Sequence, residues 1–514
     1  MKKRENESLA GRVAKCIGIF FCVALGLIAV RSALWVTDNF GLINPEQLLL
    51  NVLMPAEGVS TDFVADYLAT CLPLPLVVAA VVAICLADPL GLALKVQRKN
   101  KKNGQIKQFV FSCNGAVRRW GLAIGILLLV GGLGFGMLHL ELPEYLKNRA
   151  SPSSFIEDHY ADPKQAELTF PEQKRNLIYI YLESVETSFL TQEVGGGKQV
   201  ELMPGLTALA QEHLNFSNTE KLGGAVQING TNWTIAAMTA HSLGVPLKLP
   251  VSSDAYAAYE DFLPGAWGIG DILAAHGYNQ MLMVGSNAAY GGRDNLYTQH
   301  GNYDIWDYVT AKDSGHIPPD YLVWWGMEDQ KLYSAAKEQI LGLASRPEPF
   351  NFTMLTVDTH HIGGYFCDLC RQEHGDQFSD VMSCADRQIC EFITWLSEQE
   401  FYENTTVIIT GDHLSMDPTY FEDLPQGYVR TTLNVFINAA ATPVNVHNRL
   451  FTTMDMFPTA LAALGVQIRG DRLALGTNLF SQEATWPEIY GLEKFKTEVL
   501  RPSSFYDQKL LYGQ

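Results

Sequence analysis

The chain has 514 residues, a formal net charge of −18, 47% hydrophobic residues and nine cysteines. At roughly 100–200 residues per domain it is long enough for a large enzyme core, and its apolar content excludes a disordered or collagen-like chain. The acidic balance argues against nucleic acid as a partner, because phosphate neutralisation needs surplus Lys and Arg. Nine cysteines are too few for a disulfide scaffold at this length.

Membrane spans are predicted at about residues 13–36, 67–87 and 120–140, each close to the roughly 20 residues that cross a hydrocarbon core. The first is apolar from Cys16 to Val30 and interrupted by Arg31. Its apolar part is long for a cleaved signal peptide, and no small-x-small site follows, so it reads as a retained span. The second is uncharged, with Pro73 and Pro75 placed to bend it, and the third is Gly-rich. The N-terminus carries Lys2, Lys3, Arg4, Arg12 and Lys15, and Lys95 to Arg119 supply a second basic segment, whereas residues 37–66 hold Asp and Glu alone among charged types. The positive-inside rule puts both basic segments in the cytoplasm and everything after about residue 141 outside it. The apolar stretch Phe40–Pro55 is too short to span and is expected in the outer interface plane.

Residues Ser151–Gln173 are polar and Pro-bearing, as in a linker. Beyond them, strands are predicted at Asn176–Leu182, Gln280–Gly285, Phe350–Val357, Thr405–Thr410 and Thr432–Asn438. These runs are continuously apolar, as for strands buried on both faces. Helical patterns at Met203–Glu212, Gly270–His276, Tyr333–Ala344 and Ser383–Gln399 alternate with them, which predicts an α/β layer fold with a mixed or mostly parallel sheet. The expected organisation is a membrane domain (1–141), a linker (142–175), an extracytoplasmic α/β domain (176–495) and a C-terminal tail (496–514).

Ligands of open α/β sheets bind beyond the carboxyl ends of the strands. There the chain places Glu183, then Asp358-Thr359-His360-His361, then Asp412-His413, a donor set suited to a divalent metal with oxygen and nitrogen ligands. Each residue alone reads as a cap or a structural histidine; the joint placement gives the set its meaning. Asn229-Gly230-Thr231-Asn232-Trp233-Thr234 precedes the helical run Ile235–Met238. A hydroxyl there can be activated by a metal, and the helix dipole favours phosphate beside it. An ordinary Thr N-cap is the alternative.

The ordered set Asn176–Ser184, Asn229–Met238, Thr356–His361, Thr410–His413 and Thr452–Gly465 resembles the sulfatase-type branch of the alkaline phosphatase superfamily. Within it the chain is similar to membrane-bound phosphoglycerol transferases: the lipoteichoic acid synthases and, above all, the periplasmic glucan enzymes of Gram-negative bacteria. The resemblance implies transmembrane helices followed by an alkaline-phosphatase/sulfatase-like α/β domain in a bacterial inner membrane, with the catalytic domain periplasmic. It implies a divalent metal (Mn, Mg or Zn) held by Glu183, Thr231, Asp412 and His413, and a threonine nucleophile. Anchoring on Gly230 favours Thr231 as that nucleophile, with Thr234 the competitor nearer the helix. His360 then matches the His near phosphate and leaving group, with His361 the second candidate for substrate contact, and Arg293 contacts the phosphate, where a guanidinium's forked donors suit the charge.

The implied reaction moves phosphoglycerol from phosphatidylglycerol to a glycan and releases diacylglycerol. Its rivals are phosphoethanolamine transfer to lipid A or another glycan, a phosphodiesterase, and a non-catalytic sensor. The His and Trp that lipoteichoic acid synthases place before that Arg have no counterpart among Val284, Ser286, Asn287 and Tyr290. No Cys or Ser stands in C/S-x-P-x-R context, which argues against sulfate ester hydrolysis. Cys367, Cys370, Cys384 and Cys390 read as one or two disulfides in an oxidising compartment, with a zinc site the alternative.

Overall fold

The computed structural model describes residues 8–40, 61–89, 93–99, 106–112, 115–248, 261–417 and 419–514. Contacts divide the chain into an N-terminal unit, Met1–Pro45 with Ser60–Tyr145, and a C-terminal unit holding Leu146–Gln514. Apart from Phe40, the apolar stretch Phe40–Pro55 lies outside the described residues.

Among the described residues of the N-terminal unit three stretches are long and apolar enough to cross a membrane, Leu9–Asn39, Val64–Ala87 and Arg119–His139. Helix α1 (Leu9–Phe40) carries the first. The second is built from α2 (Thr61–Cys71) and α3 (Pro73–Ala87), which break at Leu72. Pro73 brings no N–H to a continuing helix and takes a first-turn position, where none is needed. Helix α4 (Gly115–His139) carries the third. Its glycines let it touch α1 backbone to backbone: a Cβ on Gly132 would sit 2.2 Å from the Gly26 carbonyl oxygen, and one on Gly26 2.6 Å from that of Leu128. Close approach through small residues is how helices associate where no hydrophobic drive separates them from lipid. The basic segment between α3 and α4 contains an antiparallel strand pair, Ala93–Lys99 with Ile106–Ser112, which apolar periodicity alone did not reveal.

The C-terminal unit is built on a seven-stranded sheet. Its strands are β1 (Asn176–Leu182), β2 (Gly224–Val226), β3 (Asn279–Val284), β4 (Asp304–Trp306), β5 (Phe350–Leu355), β6 (Thr405–Gly411) and β7 (Thr431–Ile437). They lie in the order β2-β7-β6-β1-β5-β3-β4. The five from β6 to β4 run parallel, whereas β7 is antiparallel to both β6 and β2. All five predicted strands form, within two residues at each end. The unbroken apolarity of β1 has a direct cause. Leu177, Tyr179 and Tyr181 enter the core on one face of the sheet, while Ile178, Ile180 and Leu182 enter the core on the other. Burying one such side chain contributes roughly 1.5–3 kcal/mol, so both faces must be covered.

The unit's helices include α5 (Pro204–Glu212), α6 (Thr234–Leu243), α7 (Ile269–Ala275), α8 (Asp329–Ala344), α9 (Gln377–Ser397) and α10 (Leu492–Leu500). The flanks expected as linker and tail are part of its core. Phe155 and Ile156 pack in one cluster with Phe495, Val499, Tyr506 and Leu511, and the Tyr506 hydroxyl donates to the Pro246 carbonyl at 2.7 Å. The polarity of Ser151–Gln173 hid this, because two large apolar residues suffice to dock a short helix.

Candidate active site

Register builds the site. Leu182, last of β1, pairs with Gly411, last of β6, and Tyr181 pairs with Leu355 of β5. One step further along each strand stand Glu183 and Asp412, side by side at the carboxyl edge, with Thr356 beyond β5. A Cβ on Gly411 would lie 1.7 Å from the Val185 carbonyl oxygen, so only glycine lets the turn after β1 fold against β6. Ser184, within that turn, has φ +57°, a left-handed conformation costing about 1–2 kcal/mol. Two bonds offset it: its N–H donates to Asp412 Oδ1 at 2.9 Å and its hydroxyl to Glu183 Oε1 at 2.7 Å. Thr356 and Thr359 hold Glu183 from the β5 side, through its N–H (3.0 Å) and its carbonyl oxygen.

His413 Nε2 lies 3.5 Å from Glu183 Oε1 and 3.4 Å from Asp412 Oδ2. One donor atom from each of the three residues falls within a 4.8 Å group, and all three side chains are buried. His413 Nδ1 is 2.8 Å from the Leu414 carbonyl oxygen; donating there turns the Nε2 lone pair toward the two carboxylates. Asp412 Oδ2 is buried with no hydrogen-bond partner. Three lone-pair donors around an unsatisfied carboxylate oxygen fit a divalent cation, and oxygen with imidazole ligands suits Mn, Mg or Zn.

Burial and the charge of Glu183 push the Asp412 carboxyl up to about 7. Burial pushes Glu183 up as well, but His413, His360 and the Ser184 hydroxyl outweigh it and hold that carboxyl below the usual range. Burial pulls His413 down, and the two carboxylates overcome it and raise the imidazole. Burial pulls His360 down, against the charge of Glu183.

The two threonines separate cleanly. Thr231 is fully buried in a turn, its hydroxyl donating to the Ile228 carbonyl at 3.0 Å. Thr234, the first residue of α6, has its hydroxyl 3.3 Å from His413 Nε2. Of the two hydroxyls, the turn at Gly230 directs that of Thr231 onto the Ile228 carbonyl, and the helix start brings that of Thr234 beside His413.

Arg293 opens a short helix, Arg293–Gln299. Its guanidinium is buried and donates to the Ser286 hydroxyl (3.0 Å) and the Asn287 carbonyl (2.7 Å), and its Nε is buried without a partner. It lies close enough to Glu183 for the two charges to be felt. His360 Nδ1 is 2.6 Å from the His361 carbonyl oxygen, and the His361 side chain is buried beside it, the two rings 5.5 Å apart.

Sequence reasoning missed several supports. Trp325 packs tilted against His360 with centroids 4.7 Å apart and against Tyr290 at 5.9 Å, and the Arg293 guanidinium lies over the Tyr290 ring at 5.9 Å, so an aromatic from a distant segment joins the local one. Gln227 Oε1 accepts the Leu414 N–H at 2.7 Å. Glu186, fully buried, accepts from Arg430 Nε at 2.7 Å and from the Ser415 N–H at 3.1 Å, fixing the segment after His413. The Glu186–Arg430 pairing had no local signal, being set across the sheet.

The four predicted cysteine partners form no disulfide. Cys367, Cys370 and Cys384 converge, while Cys390 faces Gly205 on α5.

The sulfatase family model matches residues 175–466, more than half of the chain. Phosphoglycerol transferase I of Escherichia coli O127:H6 is 30% identical over 386 residues, 74% of this chain and 48% of that protein. The chain thus spans about half the length of the curated relatives it matches. Among solved structures, an alkaline phosphatase superfamily protein of Vibrio parahaemolyticus covers 68% of this chain and 80% of its own at 19% identity and TM-score 0.49. The lipoteichoic acid synthase LtaP of Listeria monocytogenes covers 64% and 82% at 16% identity and TM-score 0.47. Since the model spans the whole strand-end cluster and more than half of the chain, the chain belongs to the sulfatase family.

Proposed function

We propose that the chain transfers phosphoglycerol from phosphatidylglycerol to an extracytoplasmic glycan, such as periplasmic glucan, through a covalent intermediate on Thr234. The observation that carries the reading is the Thr234 hydroxyl at the start of α6, 3.3 Å from His413 Nε2 within the Glu183–Asp412–His413 cluster. The named activity of the E. coli relative supports it. A divalent cation held by Glu183, Asp412 and His413 would lower the pKa of the hydroxyl beside it and offset charge on the phosphoryl group.

Thr234 Oγ forms a bond to phosphorus while the bond from phosphorus to the diacylglycerol oxygen breaks; the proton lost by Thr234 balances the one diacylglycerol gains. Arg293, already desolvated and with Nε free, holds the phosphoryl oxygens. An acceptor hydroxyl then displaces Thr234, losing its proton as the threonine regains one. His360 serves as acid and base in these transfers, its neutral form favoured by burial. Double displacement lets a bilayer-bound donor and an aqueous acceptor use one site in turn. On this reading the chain is a multi-pass protein of a bacterial inner membrane with its catalytic unit in the periplasm, which the three apolar stretches among the described residues and their flanking charges support.

The test incubates the purified chain with phosphatidylglycerol labelled in its headgroup glycerol, with and without added glucan. Diacylglycerol release, label on the peptide containing Thr234 and its discharge to glucan are expected. Label captured from phosphatidylethanolamine instead, or release with no bound label, overturns the reading.

A further inference from the structure

A second cluster of metal-ligating side chains stands apart from the strand-end rim. Cys367 Sγ lies 3.6 Å from Cys370 Sγ and 3.7 Å from Cys384 Sγ, and all three sulfurs fall within 4.8 Å of one another. Thiolates about 2.3 Å from a tetrahedral zinc are about 3.8 Å apart, so the observed separations are those of sulfurs around a shared ion. A disulfide would require about 2.0 Å and would leave the third thiol over.

The surroundings match. The Cys370 N–H donates to the Cys367 carbonyl at 3.0 Å, closing the tight turn that brings the two sulfurs of this Cys-x-x-Cys together. Gln388, one helical turn after Cys384 on α9, donates from Nε2 to Cys384 Sγ at 3.5 Å and to Cys367 Sγ at 4.0 Å. Donors aimed at sulfur are what thiolates need and thiols do not. Cys367 and Cys384 are buried and Cys370 is part-exposed, which leaves an entry path. Arg387 bonds the Leu369 carbonyl at 3.2 Å and brings positive charge beside a set that would carry one net negative charge with the ion bound.

We infer that Cys367, Cys370 and Cys384 form a structural zinc site, with the fourth position taken by water. Each thiol gives up its proton to solvent on binding. The ion clamps the irregular segment between His361 and Gln377 onto α9, and so steadies the chain leaving the His360–His361 pair.

The full chain, purified in detergent under reducing conditions, is titrated with Co2+ and then Zn2+. One equivalent of cobalt should give the sulfur-to-cobalt charge-transfer band of a tetrahedral thiolate site, and zinc should abolish it. Cys367→Ser and Cys370→Ser should each lose the band, whereas Cys390→Ser and Asp412→Asn should keep it. The band arises from sulfur ligands alone, so its outcome is independent of the proposed reaction. Absence of the band in the reduced chain, its survival in both Cys367→Ser and Cys370→Ser, or a Cys367–Cys370 disulfide in chain alkylated directly from membranes overturns the site.

Discussion

The two ligand clusters of the C-terminal unit are assembled by opposite means. Glu183 and Asp412 are 229 positions apart in the chain and become neighbours because β1 and β6 pair in parallel with Leu182 opposite Gly411. The cysteine cluster needs a three-residue turn and one helix turn fewer than twenty residues on, its sulfurs drawn from Cys367, Cys370 and Cys384. Long-range register yields a rigid, fully buried set of hard donors at a rim where a substrate can reach. A local turn yields a soft-donor set that can order a loop but has no sheet behind it. The first arrangement is suited to chemistry and the second to holding chain in place.

That contrast breaks most visibly if the rim is not essential. Asp412→Asn and Glu183→Gln are expected to lose bound catalytic metal and to cut diacylglycerol release by about a thousandfold or more, measured by metal analysis and lipid turnover. Near-normal turnover in either variant would remove the rim from the reaction.

Next in size is the separation of the threonines. Thr234→Ala should abolish the labelled adduct. Thr231→Ala should keep it and instead lower stability by about 1 kcal/mol, the worth of a satisfied buried hydroxyl, read as a shift in Tm. The reverse pattern would return the nucleophile to the turn.

The smallest expected effect concerns the frame behind the rim. His241 on α6 is buried, its Nδ1 2.8 Å from the Tyr179 hydroxyl, and burial pulls its imidazole down to about 3. From pH 6.5 down to about 3 the unfolded chain takes up a proton that the folded chain refuses, so stability is present above that window and lost as pH falls through it. Thermal unfolding in detergent should show His241→Gln losing less stability than the parent between pH 7 and 5. Equal losses would exclude His241 as a source of acid sensitivity.

The strands were legible because burial on both faces writes an unbroken apolar run, as in Asn176–Leu182, and the residues after them inherited meaning from the strand-end rule. Glu183, Asp412 and His413 were singled out this way, and the fold brings their side chains together. The choice between Thr231 and Thr234 was not legible, since both lie in one six-residue stretch and only the direction of the Gly230 turn separates them. Trp325 and Arg430 could not be seen either, because nothing near them in the chain marks the side chains they meet.

By itself, then, the amino-acid order determined the apolar helices, the strands and the kinds of donor at their ends, because periodicity and local chemistry are properties of neighbours in sequence. Which donors converge, which hydroxyl lies beside them and which cysteines meet were decided only by the tertiary structure. Those outcomes depend on strand order, register and the few ångströms by which one turn approaches another, and none of these is set by any single segment.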